Sequence, residues 1–155
     1  YTWRTLGSSF IPSEFTASVL AAQLQHLEEI TLRRRDYWQR YQGSLSGQLP
    51  DDYSILEQGG EGSNGHMFAL LVPRASTRQP LISALKSRGI IATSHYEPLH
   101  MSPFAIEHQM TGQTDLPVAR DLSSRVIRLP MWSSAGLPVE EVSNGFLESV
   151  KKDLV

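Results

Sequence analysis

Apolar residues recur at helical spacing in the first third of the chain. These positions are Leu20, Leu24, Leu27, Ile30, Tyr37, Trp38, Tyr41 and Leu45, the last four on a rotated stripe. Ser13, which follows Pro12, is a suitable N-cap. The pattern therefore predicts one helix of about thirty residues that ends between Gly43 and Gly47. Helices in small domains average about a dozen residues, so we expect this one to reach a further part of the protein.

The remaining pattern alternates short apolar runs with amphipathic segments. The runs that predict strands are Met67 to Val72, Ile90 to Thr93 and Val126 to Pro130. The segments that predict helices are Gln79 to Arg88 with Gly89 at C′, Leu116 to about Ser124, and Val139 to Lys152. Residues 57–65, "EQGGEGSNG", predict a Gly-rich connection and no phosphate loop, because no Gly-Lys-Ser/Thr follows. The order predicts an α+β fold with a small, mainly antiparallel sheet and helices on one face.

Composition excludes several classes of function. The 155 residues are 40% hydrophobic and 19% charged, which is typical of one globular domain. The formal net charge of -2 gives no general attraction to nucleic acid or to an anionic membrane. The chain has no cysteine, which excludes disulfides, zinc–thiolate sites and a thiol nucleophile, and fits a reducing compartment. No apolar run approaches the roughly 18 residues that a membrane span needs.

The stretch "TSHYEPLHMSPF" concentrates the candidate chemistry. It follows a predicted strand and presents His95, Tyr96 and His100 in a segment that Pro98 and Pro103 stiffen. Imidazole and phenol offer hydrogen-bond donors and a flat face, which suit sugar hydroxyls and phosphate oxygens. Binding residues are commonly held on loops by a rigid scaffold. The residues alone favour equally a polar wall of a ligand site and histidines that only tie down a loop.

Other chemistry is less favoured by the residues. His95 and His100 with His108 make a weak candidate for a metal site, because the spacing is not typical of one. No strained serine or cysteine is present to act as a nucleophile. His66, at the start of a predicted strand, fits local capping better than function. Trp132 either lines a pocket or fills the core, and the core is the stronger expectation.

Four segments, in order, resemble one enzyme family. "GSSFIPSEFTASVLAAQLQ" is similar to "G-x-N/S-Y/F-x-x-S/T-E/D-x-x-A-A-x-x-x-x-Q-L", and "HMFALLVP" to an "HxF" strand. "LISALKSRGIIATSHYEPLHMSP" is similar to "L-x-x-x-L-K-x-x-G-I-x-x-x-x-H-Y-x-P-L-H-x-x-P", and "DLPVARDLSSRVIRLPMW" to "x-L-P-V-A-E-x-L-x-x-x-x-L-x-L-P-L". These are motifs of the nucleotide-sugar aminotransferases, the DegT/StrS group. "YTW" and "GSS" most resemble its dTDP-4-amino-4,6-dideoxygalactose transaminase subgroup.

The resemblance implies the C-terminal small domain of a fold-type-I transferase that uses pyridoxal 5′-phosphate (PLP). Such an enzyme moves an amino group from an amino acid, usually glutamate, to the C4 ketone of a dTDP-4-keto-6-deoxy sugar. The setting implied is cytoplasmic biosynthesis of cell-surface polysaccharide or related sugars. The implied assembly is a homodimer with shared active sites. PLP supplies the electron sink, and the protein supplies orientation and proton transfer.

The family's cofactor-binding lysine has no counterpart in this sequence. That lysine follows a stretch like "S-F-x-x-x-K-x-x-x-x-G-E-G-G", whereas Lys86, Lys151 and Lys152 lie in amphipathic helical contexts. We therefore expect the lysine on a large domain upstream of Tyr1 and expect the chain alone to be inactive. The start without Met fits that expectation. Residues 1–46 are then an interdomain segment with the long helix, and residues 47–155 the small domain.

The resemblance also implies roles for individual residues. Ser9 stands where the family often has an Asn that contacts the PLP phosphate of the partner subunit, and its neighbour Ser8 is the alternative for that contact. His95 and Tyr96 occupy the "HY" that faces the nucleotide-sugar site, and His100 belongs to the "PLH" that closes the same wall. No catalytic residue and no metal ligand is expected in the chain. The alternative is a free-standing, non-catalytic α+β module for ligand binding or dimerisation.

Overall fold

The computed structural model describes residues 2–7, 11–56, 62–110, 116–132 and 134–153, and it describes residues 152 and 153 by their backbone alone. The helices are α1 (Glu14–Leu24), α2 (Leu27–Leu45), α3 (Ala75–Ser87), α4 (Pro103–Glu107), α5 (Pro117–Arg125) and α6 (Val139–Asp153). The strands are β1 (Ser54–Ile55), β2 (Phe68–Leu71) and β3 (Val126–Leu129), and a 3-10 turn spans Leu99–Met101. The predicted α+β class is confirmed. No helix in the described part of the chain is both long enough and apolar enough to cross a membrane.

The sheet is antiparallel and has the strand order β1-β2-β3. Phe68 pairs with Leu129 and Ala69 with Arg128, which sets the register of the central pair of strands. All four residues of β2 are buried, so both faces of the central strand are covered. In β3 burial alternates, because successive side chains of a strand point to opposite faces. This alternation separates a core face from a second face that carries Arg128.

The core forms between the sheet and helices α2, α3 and α6. Tyr41 of α2 stacks on Phe68 of β2 with 4.8 Å between ring centroids, and its hydroxyl donates to the Pro130 carbonyl at 2.9 Å. Tyr37 and Leu45 lie one helical turn to either side and are also buried. The predicted second stripe of the N-terminal helix therefore packs in the core. Burying each large side chain stabilises the fold by about 1.5–3 kcal/mol.

The single long helix predicted from the sequence is interrupted. Ser13 caps α1 as predicted, since its hydroxyl accepts from the Thr16 amide at 3.2 Å. At His26 the backbone leaves helical geometry (φ -108°, ψ 16°), and its amide bonds the Gln23 carbonyl three residues back. No residue of α1 is buried against the described part of the chain, so little packing there holds α1 in line with α2. The predicted first stripe, which includes Leu20 and Leu24, is about half exposed.

The strand predicted from Ile90 to Thr93 is wrong over most of its length. The Ile90 amide bonds back to the Leu85 carbonyl at the end of α3, and Ile91 is 73% exposed. Gly89 has φ +78° and occupies the C′ position, as expected. Thr93 alone pairs with the sheet, through a bridge to Arg128. The apolar run is thus mainly a helix cap followed by one point of attachment to β3.

The connection before β2 lies directly against α2. Gly65 has φ +61°, and a Cβ atom there would lie 2.9 Å from the Arg34 carbonyl carbon. The Arg35 Nε donates to the Ser63 carbonyl at 2.6 Å. Residues 57–61 of the predicted Gly-rich connection lie outside the described residues. The described end of this connection is therefore fixed on the helix, and only glycine fits at its point of closest approach.

Candidate functional site

A cavity of about 580 Å³ lies beside the stretch that the sequence singles out. It is bounded by the N-terminal segment 2–4, the loop 94–103, and residues of α3 and α5. Its lining residues are Thr2, Arg4, Arg78, Ser94, His95, Tyr96, Glu97, Pro98, Met101, Pro103, Arg120, Ser123 and Ser124. A volume of this order is typical of small-molecule sites.

The sheet sets the position of His95. Thr93 and Arg128 exchange two backbone hydrogen bonds, from the Thr93 amide to the Arg128 carbonyl at 3.0 Å and in the reverse direction at 2.7 Å. Two residues further on, the His95 Nδ1 lies 3.1 Å from the Arg128 Nη1. The His95–Tyr96 peptide bond is cis. Backbone pairing and a side-chain contact from the same arginine thus place the imidazole.

The aromatic side of the cavity is built from two segments. The Tyr96 ring lies 4.7 Å from the His95 ring and 6.1 Å from the Trp3 ring, measured between centroids. The Trp3 carbonyl accepts a hydrogen bond from the Phe104 amide at 3.1 Å, which attaches the N-terminal segment to α4. Tyr96 remains 54% exposed. Tyr96 is therefore a partly exposed lining residue of the cavity.

The far end of the loop is anchored by α4. Ser102 caps this helix, since its buried hydroxyl accepts from the Ala105 amide at 3.2 Å and donates to the Leu99 carbonyl at 2.8 Å. Pro103 occupies the first turn, where a missing amide hydrogen costs nothing. The prolines predicted to stiffen the loop therefore act together with a helix cap. The His95–Tyr96 segment is held at both ends.

The cavity is electrically positive. Among the described residues that line it are three arginines, Arg4, Arg78 and Arg120, and one carboxylate, that of Glu97, although the whole chain has a net charge of -2. The Arg78 Nη1 donates to the Ser123 carbonyl at 2.5 Å, which joins α3 to α5 at the cavity wall. Guanidinium groups bind phosphate oxygens through paired, charge-assisted hydrogen bonds. The arrangement suits an anionic ligand that also carries flat or hydroxylated groups.

The predicted site residues fall into three groups. His95 and Tyr96 both line the cavity. His100 lies on the 3-10 turn and is not among the lining residues. Its Nε2 is buried and has no hydrogen-bond partner in the described part of the chain. Ser8 and Ser9, the residues predicted to bind the cofactor, lie outside the described residues. The roles of all five residues stay predictions.

The other singled-out residues have local partners. His66 donates from Nδ1 and from its amide to the Asn64 Oδ1, at 2.7 and 3.1 Å, in a turn before β2. His108 donates to the Phe104 carbonyl at 2.9 Å and stacks on the Phe104 ring. Within the described ranges no three His, Asp or Glu side chains are grouped as metal ligands. Both histidines therefore have a structural explanation.

The expectation that Trp132 fills the core is wrong. The side chain is 40% exposed, and it lines a second cavity of about 760 Å³ with Ile91, Val142 and Gly145. Met131, its neighbour, is only partly buried against the core cluster. Trp132 consequently lies on the surface beside the second cavity and apart from the lining of the first.

The described residues do not by themselves fit PLP. Neither Lys86, on the last turn of α3, nor Lys151, on α6, lines the positive cavity. A covalently held cofactor needs a lysine that these positions do not supply. The position of the cofactor-binding lysine therefore stays a prediction.

Sequence reasoning missed the arginines of the site. Arg128 alternates with Ile127 and Leu129 in "VIRLP", a pattern that places it on the face opposite the core. Arg120 stands where the matching family motif has Glu. Both signals are present in the sequence, but neither shows that Arg120 lines the cavity or that Arg128 contacts His95. Arg4 and Arg78 give no comparable signal, because they are brought together only by the fold.

The model of the DegT/DnrJ/EryC1/StrS aminotransferase family matches residues 1–144. Among solved structures, the aminotransferase TlmJ from Streptoalloteichus hindustanus is 25% identical, with a TM-score of 0.77 over 94% of this chain and 38% of that chain. S. venezuelae DesV, solved with a ketimine intermediate, is 27% identical, with a TM-score of 0.74 over 87% of this chain and 36% of that chain.

Helicobacter pylori PseC, an aminotransferase of pseudoaminic acid biosynthesis, shares the fold at 19% identity, with a TM-score of 0.78 over 96% of this chain and 40% of that chain. This chain thus spans about two fifths of the length of these solved structures. Enzymes of the matched family depend on PLP. The family match covers nearly the whole chain and the solved structures reproduce its fold, so the chain belongs to the DegT/DnrJ/EryC1/StrS aminotransferase family.

Proposed function

We propose that this chain forms the C-terminal part of a PLP-dependent aminotransferase. The enzyme transfers an amino group from an amino acid, glutamate in this proposal, to the C4 ketone of a dTDP-4-keto-6-deoxy sugar. It acts in the cytoplasm, in the biosynthesis of cell-surface polysaccharide or related sugars. Residues 1–46 connect to a large domain that carries the lysine, residues 47–155 form the small domain, and two copies share their active sites.

The positive cavity is the observation that carries the proposal. A nucleotide sugar combines two phosphate groups with a flat base and sugar hydroxyls. The cavity combines three arginines with the His95 and Tyr96 rings. Hydrogen bonds to charged groups contribute about 1.5–3 kcal/mol each, roughly twice a neutral bond, so the diphosphate is the group that these arginines favour most. The family membership supports the same class of ligand.

The residues of this chain bind and orient the sugar nucleotide in the proposed reaction. His95 donates a hydrogen bond from the cavity wall, Tyr96 offers its ring face and hydroxyl, and His100 supports the turn that closes the wall. Ser8 and Ser9 remain the proposed contacts to the cofactor phosphate. When bound, PLP supplies the electron sink for amino transfer. The described residues hold the ketone in place for that chemistry.

The choice of sugar rests on a finer resemblance. The segments "YTW" and "GSS" favour the dTDP-4-amino-4,6-dideoxygalactose transaminase subgroup. The solved structures that match the chain include aminotransferases with other names, TlmJ and DesV among them. The substrate and the donor are therefore tested by assaying the enzyme that contains this chain with a dTDP-4-keto-6-deoxy sugar and glutamate.

The substitution His95→Ala, in the enzyme that contains this chain, tests the proposal. The loss of one hydrogen bond, about 0.5–1.5 kcal/mol if neutral and 1.5–3 kcal/mol if charge-assisted, predicts a roughly ten-fold lower kcat/KM for the sugar. The half-reaction with glutamate stays nearly unchanged, because the donor reacts before the sugar binds. His66→Ala is the matched control, since this exposed histidine bonds Asn64 and lies outside the cavity lining.

Two outcomes count against this role for His95. A parallel fall of both half-reactions, together with a lower Tm, assigns the residue to loop structure alone. Damage to the glutamate half-reaction only assigns the loop to the cofactor side. If the polypeptide that contains this chain has no cofactor-binding lysine and makes no amino sugar from a dTDP-4-keto sugar, the alternative of a non-catalytic module is correct.

A further inference from the structure

Arg128 contacts the imidazole of His95 from the face of the sheet that lies away from the core. In β3 its neighbours Ile127 and Leu129 are 0% and 4% exposed and join the core cluster. Arg128 lies between them, so its side chain leaves the sheet on the opposite side. There its Nη1 reaches the His95 Nδ1 at 3.1 Å. The alternation of the strand thus directs a guanidinium at one particular ring nitrogen.

This contact determines which nitrogen of His95 carries the proton. A guanidinium has five N–H donors and no acceptor. The Nδ1 atom must therefore accept the hydrogen bond, and an imidazole that accepts at Nδ1 carries its proton on Nε2. We infer that Arg128 is a positioning residue that holds His95 as the Nε2–H tautomer, so that His95 meets a ligand in the cavity as a hydrogen-bond donor. Only the ligand part of this inference rests on the proposed function.

The backbone strengthens the constraint. Arg128 and Thr93 exchange both of their main-chain hydrogen bonds, at 3.0 and 2.7 Å, and Thr93 is two residues before His95. The same arginine therefore fixes the start of the loop by its main chain and the imidazole by its side chain. A lysine has a compact ammonium group on a flexible stem and lacks the planar fork of arginine. Arg128→Lys is thus expected to keep the charge but hold the ring less well.

The tautomer restricts what His95 does in the cavity. A ring held with Nε2–H donates to oxygen acceptors such as phosphate, hydroxyl or ketone oxygens. Its Nδ1 is occupied by Arg128 and does not accept a proton from a ligand. His95 therefore acts in recognition and orientation of an oxygen-rich ligand, and it does not serve as a general base through Nδ1.

Nitrogen NMR on the 155-residue chain tests the tautomer without any need for activity. The histidines of the chain are labelled with ¹⁵N, and the His95 signals are identified as those that disappear in the His95→Gln variant. At slightly alkaline pH we expect His95 to have a protonated Nε2 and an unprotonated Nδ1. Arg128→Met should shift this ring toward a mixture of tautomers, and Arg128→Lys should fall between the two. Arg88→Met is the matched control, because Arg88 pairs with Glu148 and lines the other cavity.

Either of two results overturns the inference. One is a protonated Nδ1 in the wild-type chain, which decides the question even if Arg128→Met does not fold. The other is an unchanged tautomer ratio in a folded Arg128→Met chain. Failure of the proposed enzyme activity leaves this measurement unaffected, so the two failures are distinguishable.

A double-mutant cycle in the enzyme that contains the chain tests whether Arg128 acts through His95. We expect Arg128→Met alone to lower kcat/KM for the sugar roughly two- to ten-fold, the range of one neutral hydrogen bond. In the His95→Ala background the same change should have little further effect, since residues that act as a unit are not additive. Full additivity would show that Arg128 contributes independently of His95 and would overturn the positioning role.

Discussion

Gly65 gives the sharpest test of how the fold carries the site, because it lies where the connection to β2 meets α2. The substitution Gly65→Ala adds one methyl group. Its carbon would lie 2.9 Å from the Arg34 carbonyl carbon and 3.0 Å from both the Arg34 oxygen and the Arg35 nitrogen. All three atoms belong to the helix backbone, so no side-chain rotation relieves the contact. The backbone must move, or the connection must lift from the helix.

Two costs add at this position. Holding a residue with a Cβ atom at φ +61° costs about 1–2 kcal/mol. Forcing an extra methyl group into a closely packed place costs about 1–3 kcal/mol more. We therefore expect Gly65→Ala to lower the free energy of unfolding by roughly 2–5 kcal/mol, measured by urea denaturation of the 155-residue chain. A lower Tm should accompany it.

Gly47→Ala is the matched control for the conformational cost alone. Gly47 follows the end of α2 with φ +75°, and a Cβ atom there meets nothing within 4 Å. Gly47→Ala should therefore lower the free energy of unfolding only by the cost of the positive φ, about 1–2 kcal/mol. Equal losses for the two variants would refute the close approach of Gly65 to α2. Arg35→Ala removes the hydrogen bond from Arg35 to the Ser63 carbonyl. If this variant loses as much free energy of unfolding as Gly65→Ala, the stability is due to that hydrogen bond instead.

Two further predictions concern the core and the N-terminal helix. Burial raises the pKa of the Tyr41 phenol well above its ordinary 10.0, so the stability due to the neutral phenol is complete below pH 10 and falls as pH rises toward the raised pKa. Tyr41→Phe should cost about 0.5–1.5 kcal/mol at neutral pH and less above pH 10, and urea titrations showing a constant difference would contradict this. The exposed Leu20 and Leu24 of α1 predict self-association of the chain, since apolar burial is worth roughly 25 cal/mol per Å². The double variant Leu20→Glu, Leu24→Glu should have a lower average molar mass in light scattering than the wild-type chain, whereas the control Ala22→Glu should not. A wild-type chain that stays monomeric at high concentration would contradict the predicted self-association.

Elements with a strong hydrophobic periodicity, or with clear capping residues at their ends, were predictable from the sequence. The strand around "MFALLV", the strand in "VIRLP", the Ser13 cap and the final helix all agree with the structure. Each depends on local pattern alone. The break at His26 was not predictable in this way, because apolar spacing continues across it. Whether two helical segments form one rod depends on tertiary packing, and α1 has no buried residue.

The candidate site was predictable in part. His95 and Tyr96 were found from their residue types and the resemblance, and both line the cavity. The sequence predicted that a strand from Ile90 to Thr93 positions the loop with His95 and Tyr96. In the structure, the C-terminal cap of α3 and a single bridge at Thr93 position this loop. An apolar run that ends a helix looks the same in sequence as a short strand. The arginine side of the cavity comes from α3, α5 and the N-terminal segment, and only the folded chain brings these together.

The alternation of β3 also bears on how the strands choose their alignment during folding. A slip of one residue against β2 would reverse the faces of β3 and point Arg128 into the apolar core, since the side-chain period of a strand is two. A buried, unpaired guanidinium costs several kcal/mol, which makes the slipped pairing strongly unfavourable. The residue that serves the cavity therefore also rejects a competing register. A strand made more hydrophobic by Arg128→Val would gain apolar surface and lose this discrimination between alignments.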